Sequence, residues 1–130
     1  MPAQFLVDTD IMVDYLRGHP DAVKYIKTNA DYIAISLITA AELYAGVNGD
    51  KEEKELEAFL DLFPVLTVTR EIAQKAGRYK KEFFKSHNLG LADALIAASA
   101  DYYHMNLKTL NRKHFPMFGG LEPPYQKTFL

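Results

Sequence analysis

Cysteine is absent from this sequence of 130 residues. Its absence excludes a disulfide framework, a thiolate nucleophile and a cysteine-built zinc site, and it is typical of a chain that works in a reducing cytoplasm. Also missing are a basic N-terminal region followed by a short apolar run, and any stretch of about 20 apolar residues. We therefore expect a cytoplasmic protein with neither a secretion signal nor a membrane-spanning helix.

A strong charge of either sign is missing too, because 15 Lys and Arg residues face 17 Asp and Glu residues for a formal net charge of -2. A chain with this balance is not attracted to polyanions as a whole, so contact with nucleic acid depends on a local basic patch. Hydrophobic residues make up 48% of the chain. A chain of this length can build one packed core but not two, which predicts a single domain over residues 1–130.

Short apolar runs alternate with helical patterns along the chain. The runs predicted to be strands are residues 5–7, 32–36, 65–68 and 106–110, with residues 115–120 as a further short strand and turn. The run at 32–36 does not alternate between apolar and polar residues, which indicates burial on both faces. Strands that alternate with helices favour an α/β fold, with a parallel sheet covered by helices on both faces.

Helix signals lie between these runs. The first predicted helix follows Asp10 and ends at Gly18, and the second begins at Pro20. In residues 50–63 an apolar stripe lies on an otherwise charged helix, which indicates packing on the core. Together with the preceding helix, the same stripe leaves a dimer face open as an alternative.

Two more helices and a tail complete the pattern. Thr69 is the expected N-cap of a long helix, and an alanine-rich helix covers residues 91–100. One face of the long helix is basic, and either a solvated surface or a ridge that contacts phosphates explains it. The basic residues are Lys75, Arg78, Lys81 and Lys85. The tail is predicted to be held to the body by Tyr125, Phe129 and Leu130.

The strand at 5–7 runs directly into Asp8, Thr9 and Asp10. In open α/β sheets, ligands bind beyond the carboxyl ends of the strands, so a carboxylate at this point is aimed at a site. Structural roles are equally open here. Asp10 has the position of a helix cap, and Asp8 that of a turn residue.

Two further acids lie where a helix begins. Thr39 and Glu42 have the spacing of a capping box, in which the Glu closes its own helix N-terminus; the alternative places Glu42 beside Asp8. Asp93 falls in the first turn of the helix at 91–100, where an acid complements the helix dipole. A carboxylate at the start of so apolar a helix is costly to bury without a cation, which favours a functional role.

Asp8, Glu42, Asp93 and Asn111 each closely follow a predicted strand or open a helix beside the sheet. In a right-handed doubly wound fold these places share one edge, so the four side chains are predicted to converge. Converging carboxylates repel one another unless a cation neutralises them. Oxygen ligands, without Cys or a His pair at zinc spacing, favour Mg²⁺ or Mn²⁺, and a water made acidic by such an ion can attack a phosphodiester.

Four motifs occur in order along nearly the whole chain. They are an apolar residue before Asp8-Thr9-Asp10, then Ser36 followed by Glu42-Leu43 and Gly46, then Asp93-Ala94-Leu95-Ile96-Ala97-Ala98, and finally Thr109 with Asn111. As a set they resemble the PIN-domain ribonucleases, specifically the VapC toxins of prokaryotic toxin–antitoxin pairs. The resemblance implies an α/β/α sandwich around a central parallel sheet of four to five strands. It also implies an endoribonuclease that depends on Mg²⁺ or Mn²⁺, frequent homodimers, and inhibition by a cognate antitoxin.

The resemblance assigns roles to residues of the site. It implies Asp8 and Asp93 as principal metal ligands and Glu42 as a carboxylate acting through metal-bound water. Asn111 would complete this catalytic and metal-binding set at a position where many members have Asp. The exchange lowers the negative charge of the site by one and puts a tightly held second metal in doubt.

Around this set, the resemblance implies contacts with RNA. Thr9 and Thr109 would hold carboxylates and waters next to the substrate through their hydroxyls, and Arg112 and Lys113 would position phosphates. His114 stands where Asp is frequent in the family. Two roles are open for it, an exposed loop histidine and a phosphate contact.

Three rival functions follow from the same residues. Asp8 and Asp10 after an apolar strand also resemble the aspartyl-phosphate phosphatases of the haloacid dehalogenase type, but Met12 stands where those enzymes carry Thr or Val. A PIN nuclease of RNA maturation would have no antitoxin. A PIN-like scaffold that only binds would be favoured by a broken acidic set, yet three of the four acids are intact.

Overall fold

A computed structural model describes residues 2–126 of the chain. Within them it contains four strands, β1 (Phe5–Val7), β2 (Ile33–Ser36), β3 (Val65–Leu66) and β4 (Asn106–Lys108). It also contains six α-helices, α1 (Thr9–Leu16), α2 (Pro20–Asn29), α3 (Leu37–Ala45), α4 (Gly49–Leu60), α5 (Arg70–His87) and α6 (Leu91–Tyr102). Single turns of 3-10 helix lie at Ala30–Tyr32 and Arg112–His114.

The four strands form one parallel sheet in the order β3-β2-β1-β4. Leu6 pairs with Ala34 of β2 on one side and with Leu107 of β4 on the other. The chain therefore moves outward from β1 in one direction through β2 and β3, and then returns to the opposite side of β1. In an open α/β sheet this reversal creates a crevice at the carboxyl end of the central strand, and β1 ends there at Val7, just before Asp8.

Apolar side chains are packed on both faces of the sheet. Val7 and Ile35 face a core shared with α1 to α4, whereas Leu6 and Leu107 face a core shared with α6. The alanine-rich sequence of α6 lets it lie close to the sheet, because small side chains leave little space between backbones. The predicted α/β/α arrangement is confirmed.

The stripe of α4 belongs to the first of these cores. Its residues Leu56, Phe59 and Leu60, with Phe63 just beyond the helix, are all less than 8% exposed. The predicted packing of this helix on the core is therefore correct. The alternative, in which the stripe forms a dimer face, is excluded because these side chains are covered by their own chain.

Several predicted ends are wrong. β3 stops at Leu66 rather than at residue 68, and β4 stops at Lys108 rather than at residue 110. The reason for the second difference is a side chain, because the backbone N–H of Leu110 donates to Asp10 Oδ2 at 2.9 Å instead of extending a strand ladder. Residues 115–120 form turns and no fifth strand. There the N–H of Phe118 donates to the carbonyl of Phe115.

Thr69 caps α5 as predicted, since its hydroxyl accepts from the N–H of Ile72 at 3.1 Å. The tail is held by Tyr125, whose hydroxyl donates to Asp14 Oδ2 at 2.9 Å and whose ring stacks on His19. Phe129 and Leu130, also predicted to hold the tail, lie outside the described residues. Among residues 2–126, no helix has the length and apolar character needed to cross a membrane.

Candidate active site

Asp8 lies in the crevice at the end of β1. Its backbone N–H donates to the carbonyl of Lys108 at 2.9 Å, which joins the ends of β1 and β4. Its Oδ1 accepts from the N–H of Thr9 at 2.8 Å, and its Oδ2 accepts from the hydroxyl of Thr109 at 2.7 Å. With 5% of its surface exposed, Asp8 is a buried carboxylate held from both strands.

The capping role predicted for Asp10 falls on Asp8 instead. Asp8 is the N-cap of α1, and Asp10 lies in the first turn of that helix. Asp10 Oδ2 accepts from the N–H of Leu110 at 2.9 Å and from the side-chain amide of Asn111 at 3.1 Å. Asp10 therefore connects the start of α1 to the segment after β4. In the sequence, the position of Asp10 two residues after Asp8 was the feature that could have indicated this role.

Burial raises the pKa of both carboxyls. The pKa of Asp8 rises from 3.8 to about 7, mainly because the group is desolvated and secondly because Asp10 repels its charge. Hydrogen bonds from Thr109 and Thr9 oppose this rise. The pKa of Asp10 is also raised by desolvation. No Lys or Arg among residues 2–126 forms an ion pair with either carboxylate, so their charge is not compensated by the chain.

Glu42 reaches the same region from α3. This helix begins directly after β2, with the hydroxyl of Ser36 accepting from the N–H of Ile38 at 3.0 Å. The capping-box interpretation of Thr39 and Glu42 is therefore wrong, because the helix starts before Thr39 and buries it. The hydroxyl of Thr9 contacts Glu42 Oε1 at 2.6 Å and Thr39 Oγ1 at 3.0 Å. The shorter, charge-assisted bond holds an otherwise exposed Glu42 against Thr9, the residue that follows Asp8.

Asp93 lies in the first turn of α6, half-buried, with Oδ2 at 3.3 Å from Nδ1 of His114. Its pKa is raised mainly by desolvation and further by the charge of Glu42, while His114 acts in the opposite direction. Asp93 in turn raises the pKa of Asp8. Asp93 is thus near enough to repel both Glu42 and Asp8, although the three predicted acids come from distant parts of the chain.

The remaining predicted residues lie around these acids. Asn111 is exposed, and its amide donates to Asp10. Arg112 and Lys113 are exposed in the turn that follows. The basic face of α5 is less uniform than its sequence indicates, because Lys75 forms an ion pair with Asp101 of α6 at 3.0 Å. Its other members, Arg78, Lys81 and Lys85, are exposed.

The acids do not form a ready-made metal cage. Among residues 2–126, no group of three or more His, Asp or Glu side chains is arranged to hold a metal ion. Each acid is instead held by a neighbour within the chain. Thr9 contacts Glu42, His114 contacts Asp93 and Asn111 contacts Asp10. Thr39 and Asp10 are participants for which the sequence predicted only a capping role. Thr39 carried no signal beyond its supposed cap.

A family profile described as PIN domain matches residues 5–117. The chain belongs to the PIN-domain family, as the order of its motifs predicted.

Individual relatives narrow this class. The chain is similar to Ribonuclease VapC10 of Mycobacterium tuberculosis, with 40% identity over 123 residues that cover 92% of both chains. It is similar to Ribonuclease VapC19 of the same organism, with 41% identity covering 92% of this chain and 98% of the relative. A toxin–antitoxin complex from Klebsiella pneumoniae matches with a TM-score of 0.82 and 28% identity, covering 96% of this chain and 100% of that chain. VapBC2 from Rickettsia felis, bound to a promoter DNA fragment, matches with a TM-score of 0.72 and 27% identity, covering 93% and 96%.

Proposed function

We propose that this chain is a metal-dependent endoribonuclease that hydrolyses RNA phosphodiester bonds, and that it is the toxin of a VapBC toxin–antitoxin pair in the cytoplasm. The relatives named VapC at about 40% identity support the activity class. The observation that carries the proposal is Asp8, a buried and uncompensated carboxylate in the crevice between β1 and β4, with Asp93 within electrostatic reach. A carboxylate kept in this state without a cation from the chain is suited to bind one.

The residues present fit Mg²⁺ or Mn²⁺. Both ions prefer oxygen ligands, and Mg²⁺ is commonly held by one or two carboxylates with its remaining positions filled by water and substrate phosphate. Asp8 and Asp93 are the ligands we assign, with Glu42 and Asn111 contributing from the rim. A cation here would also relieve the repulsion that raises the pKa values of Asp8 and Asp93. When bound, it would stabilise charge on the phosphate and increase the acidity of the attacking water.

The side chains around the ligands fix their positions. Thr109 donates to Asp8, which orients the second carboxylate oxygen, and Asp10 holds the segment that carries Asn111. Thr9 holds Glu42 at 2.6 Å, which leaves the second oxygen of Glu42 to orient a water or accept its proton. Each of these bonds restricts a side chain that would otherwise move, and such positioning contributes directly to the rate.

RNA would be held by the basic residues near this crevice. Arg112 and Lys113 follow Asn111 directly and are exposed, so their charges can contact phosphates on the strand entering the site, although the guanidinium of Arg112 also donates to the carbonyl of Leu121 at 3.5 Å. Exposed Arg78, Lys81 and Lys85 on α5 supply a second basic surface. Contacts of this kind do not read bases, and they weaken as salt concentration rises.

An apolar groove offers a place for the antitoxin. A cavity of about 300 Å³ lies between α1, α3 and α4, and its lining combines apolar side chains with the charged side chains of Arg17, Glu42, Glu52 and Glu55. The apolar lining is Val13, Leu16, Leu43, Val47 and Leu56. A helix or extended segment of a partner seated there would reach Glu42 and obstruct the site. Loss of antitoxin binding by Leu16→Glu, measured by calorimetry, tests this placement.

The homodimer that we propose would use the outer face of α3. Leu37, Ala41 and Tyr44 lie on one side of this helix, at spacings of four and three residues, and all are exposed. Leu37 is 47% exposed and Tyr44 36%. Sedimentation of Leu37→Glu, with a monomer as the expected species, tests this face.

The experiment that tests the function is a cleavage-site map on total RNA. The purified chain with Mg²⁺ is expected to cut RNA internally, to stop in EDTA, to resume with Mn²⁺, and to be inhibited by the product of a small DNA-binding-protein gene directly upstream. Metal-dependent cutting without such a gene would indicate a PIN nuclease of RNA maturation. Absence of cutting under all these conditions would leave only a binding module and contradict the proposal.

A further inference from the structure

A second cavity adjoins Asp93 on the side of the loop that joins α5 to α6. It has a volume of about 230 Å³ and is lined by His87, Asn88, Leu89, Asp93 and His114. Asp93 is therefore shared between this cavity and the candidate active site. A strand of RNA whose scissile phosphate lies at Asp93 would place a neighbouring nucleotide in or beside the cavity.

The two histidines of this cavity present the same ring atom to a ligand. Nδ1 of His114 lies 3.3 Å from Asp93 Oδ2, and Nδ1 of His87 lies 2.7 Å from the hydroxyl of Ser86. The ring of His87 is also packed edge-on against Phe83. Within residues 2–126, Nε2 is thus the nitrogen of each ring that remains for an external partner.

The neighbours of each ring determine what Nε2 can do. In the neutral form of His114 whose Nδ1–H donates to Asp93, the lone pair lies on Nε2, and this form offers an acceptor. Of the two neutral tautomers of His87, the one that accepts the Ser86 hydroxyl at Nδ1 carries its proton on Nε2 and offers a donor there. Asn88 adds an amide donor from a left-handed position (φ 50°) at the end of α5.

We propose that this cavity binds the ribonucleotide next to the scissile phosphate, an inference that rests on the proposed function. Nε2 of His114 accepts a hydrogen bond from the ribose 2′-hydroxyl, and His87 and Asn88 donate to the phosphate of that nucleotide. The 2′-hydroxyl is the group that distinguishes RNA from DNA at a given site, so His114 would make the chain prefer RNA. Arg112 and Lys113 precede His114 in the same turn and extend the phosphate path.

The test compares binding of RNA and DNA in EDTA, where cleavage is suppressed. Fluorescence anisotropy measures the Kd of the whole chain for a short unpaired RNA and for a DNA of the same sequence containing deoxyuridine, so that only the 2′-hydroxyl differs. One hydrogen bond predicts a preference of the wild type for RNA of roughly 3- to 10-fold. His114→Phe is expected to remove this preference without weakening DNA binding, and His114→Gln, which keeps an acceptor, to restore part of it.

Two further variants and a control separate the contacts. His87→Phe and Asn88→Gly are expected to weaken RNA and DNA binding by similar factors, since both lose a phosphate donor, and Gly keeps the left-handed backbone. His104→Asn is the matched control, because His104 is an exposed histidine beyond the opposite end of α6 with a φ of 55° that Asn tolerates. It is expected to bind like the wild type.

An unchanged RNA preference in His114→Phe, or no RNA binding by the wild type, would overturn the inference. If the wild type still cleaved RNA with Mg²⁺, the proposed function would stand without it. Absence of metal-dependent cleavage would instead remove the proposed function, and this inference with it.

Discussion

Two acids on the same helix show how differently this fold treats a carboxylate. Asp101, in the last turn of α6, pairs with the ammonium of Lys75 at 3.0 Å and accepts the hydroxyl of Tyr79. Among the residues that the structure describes, Asp93, in the first turn, has Glu42 and Asp8 as charged neighbours and His114 as its one ion-pair partner. The helix dipole alone would favour Asp93 and disfavour Asp101. The fold nevertheless pairs Asp101, and not Asp93, with a lysine.

The comparison separates a structural acid from a candidate functional one. Lys75 and Tyr79 both extend from α5, so the contacts of Asp101 join two packed helices. The raised pKa of Asp93 reflects burial and the repulsion of Glu42, which His114 opposes without cancelling. A group left in that condition contributes little to folding and is available to an external cation.

The largest expected effect is on cleavage. Asp93→Asn is expected to lower the rate of metal-dependent RNA cleavage roughly a thousandfold or more, because it removes a charged metal ligand. Asp101→Asn, the matched change at the other end of α6, is expected to keep nearly full activity. Initial rates on a labelled RNA measure both, and circular dichroism checks that both variants fold. Equal cleavage rates in the two variants would contradict the assignment of Asp93 as a functional acid and Asp101 as a structural one.

A second expected effect concerns pH and Asp8. A carboxyl whose pKa is raised to about 7 by folding binds its proton more tightly in the folded chain than in the unfolded one. The stability it contributes is present at low pH and is lost as the pH rises from 3.8 to about 7. Asp8→Asn is therefore expected to be more stable than the wild type by about 2 to 4 kcal/mol at about pH 8, and by little at about pH 4. Urea unfolding at both pH values tests this, and a gain of the same size at both would contradict it.

A third effect is stabilisation by metal. Mg²⁺ at about 100 times its Kd is expected to stabilise the wild type and Asp101→Asn by about 2.7 kcal/mol, since a ligand that binds the folded state shifts the equilibrium by mass action. Asp93→Asn is expected to lose most of this stabilisation. Thermal melts with and without Mg²⁺ provide the measurement. A full shift in Asp93→Asn would remove that residue from the set of ligands.

The smallest expected effect is on the free energy of unfolding, through the ion pair between Lys75 and Asp101. Asp101→Asn is expected to destabilise the chain by about 0.5 to 1 kcal/mol, because Lys75 is 45% exposed and solvent screens the ion pair. The difference from the wild type is expected to shrink in about 1 M salt, where surface charges are screened. Urea unfolding at low and high salt measures it. A loss of several kcal/mol that salt did not change would show that packing, rather than charge, holds Asp101.

The sequence predicted the elements well and their ends less well. Continuous apolar runs located β1 and β2, and apolar periodicity located the stripe of α4, because both patterns record burial directly. The start of α3 was missed because Ser36 and Thr39 are both good caps, and only the packing of Thr39 against Thr9 distinguishes them. β4 ends early because Asp10, about a hundred residues away in the chain, takes a backbone N–H from its continuation.

For the site, the sequence alone determined which side chains are present and that strand ends would bring Asp8 and Asp93 to one edge of the sheet. Residue types and periodicity are local properties, so they can be read directly from the order of amino acids. Three contacts became visible only in the folded chain: Asp10 binds the backbone after β4, His114 pairs with Asp93, and Lys75 pairs with Asp101. These contacts depend on distances between segments far apart in the chain, and such distances are set by how the helices and strands pack.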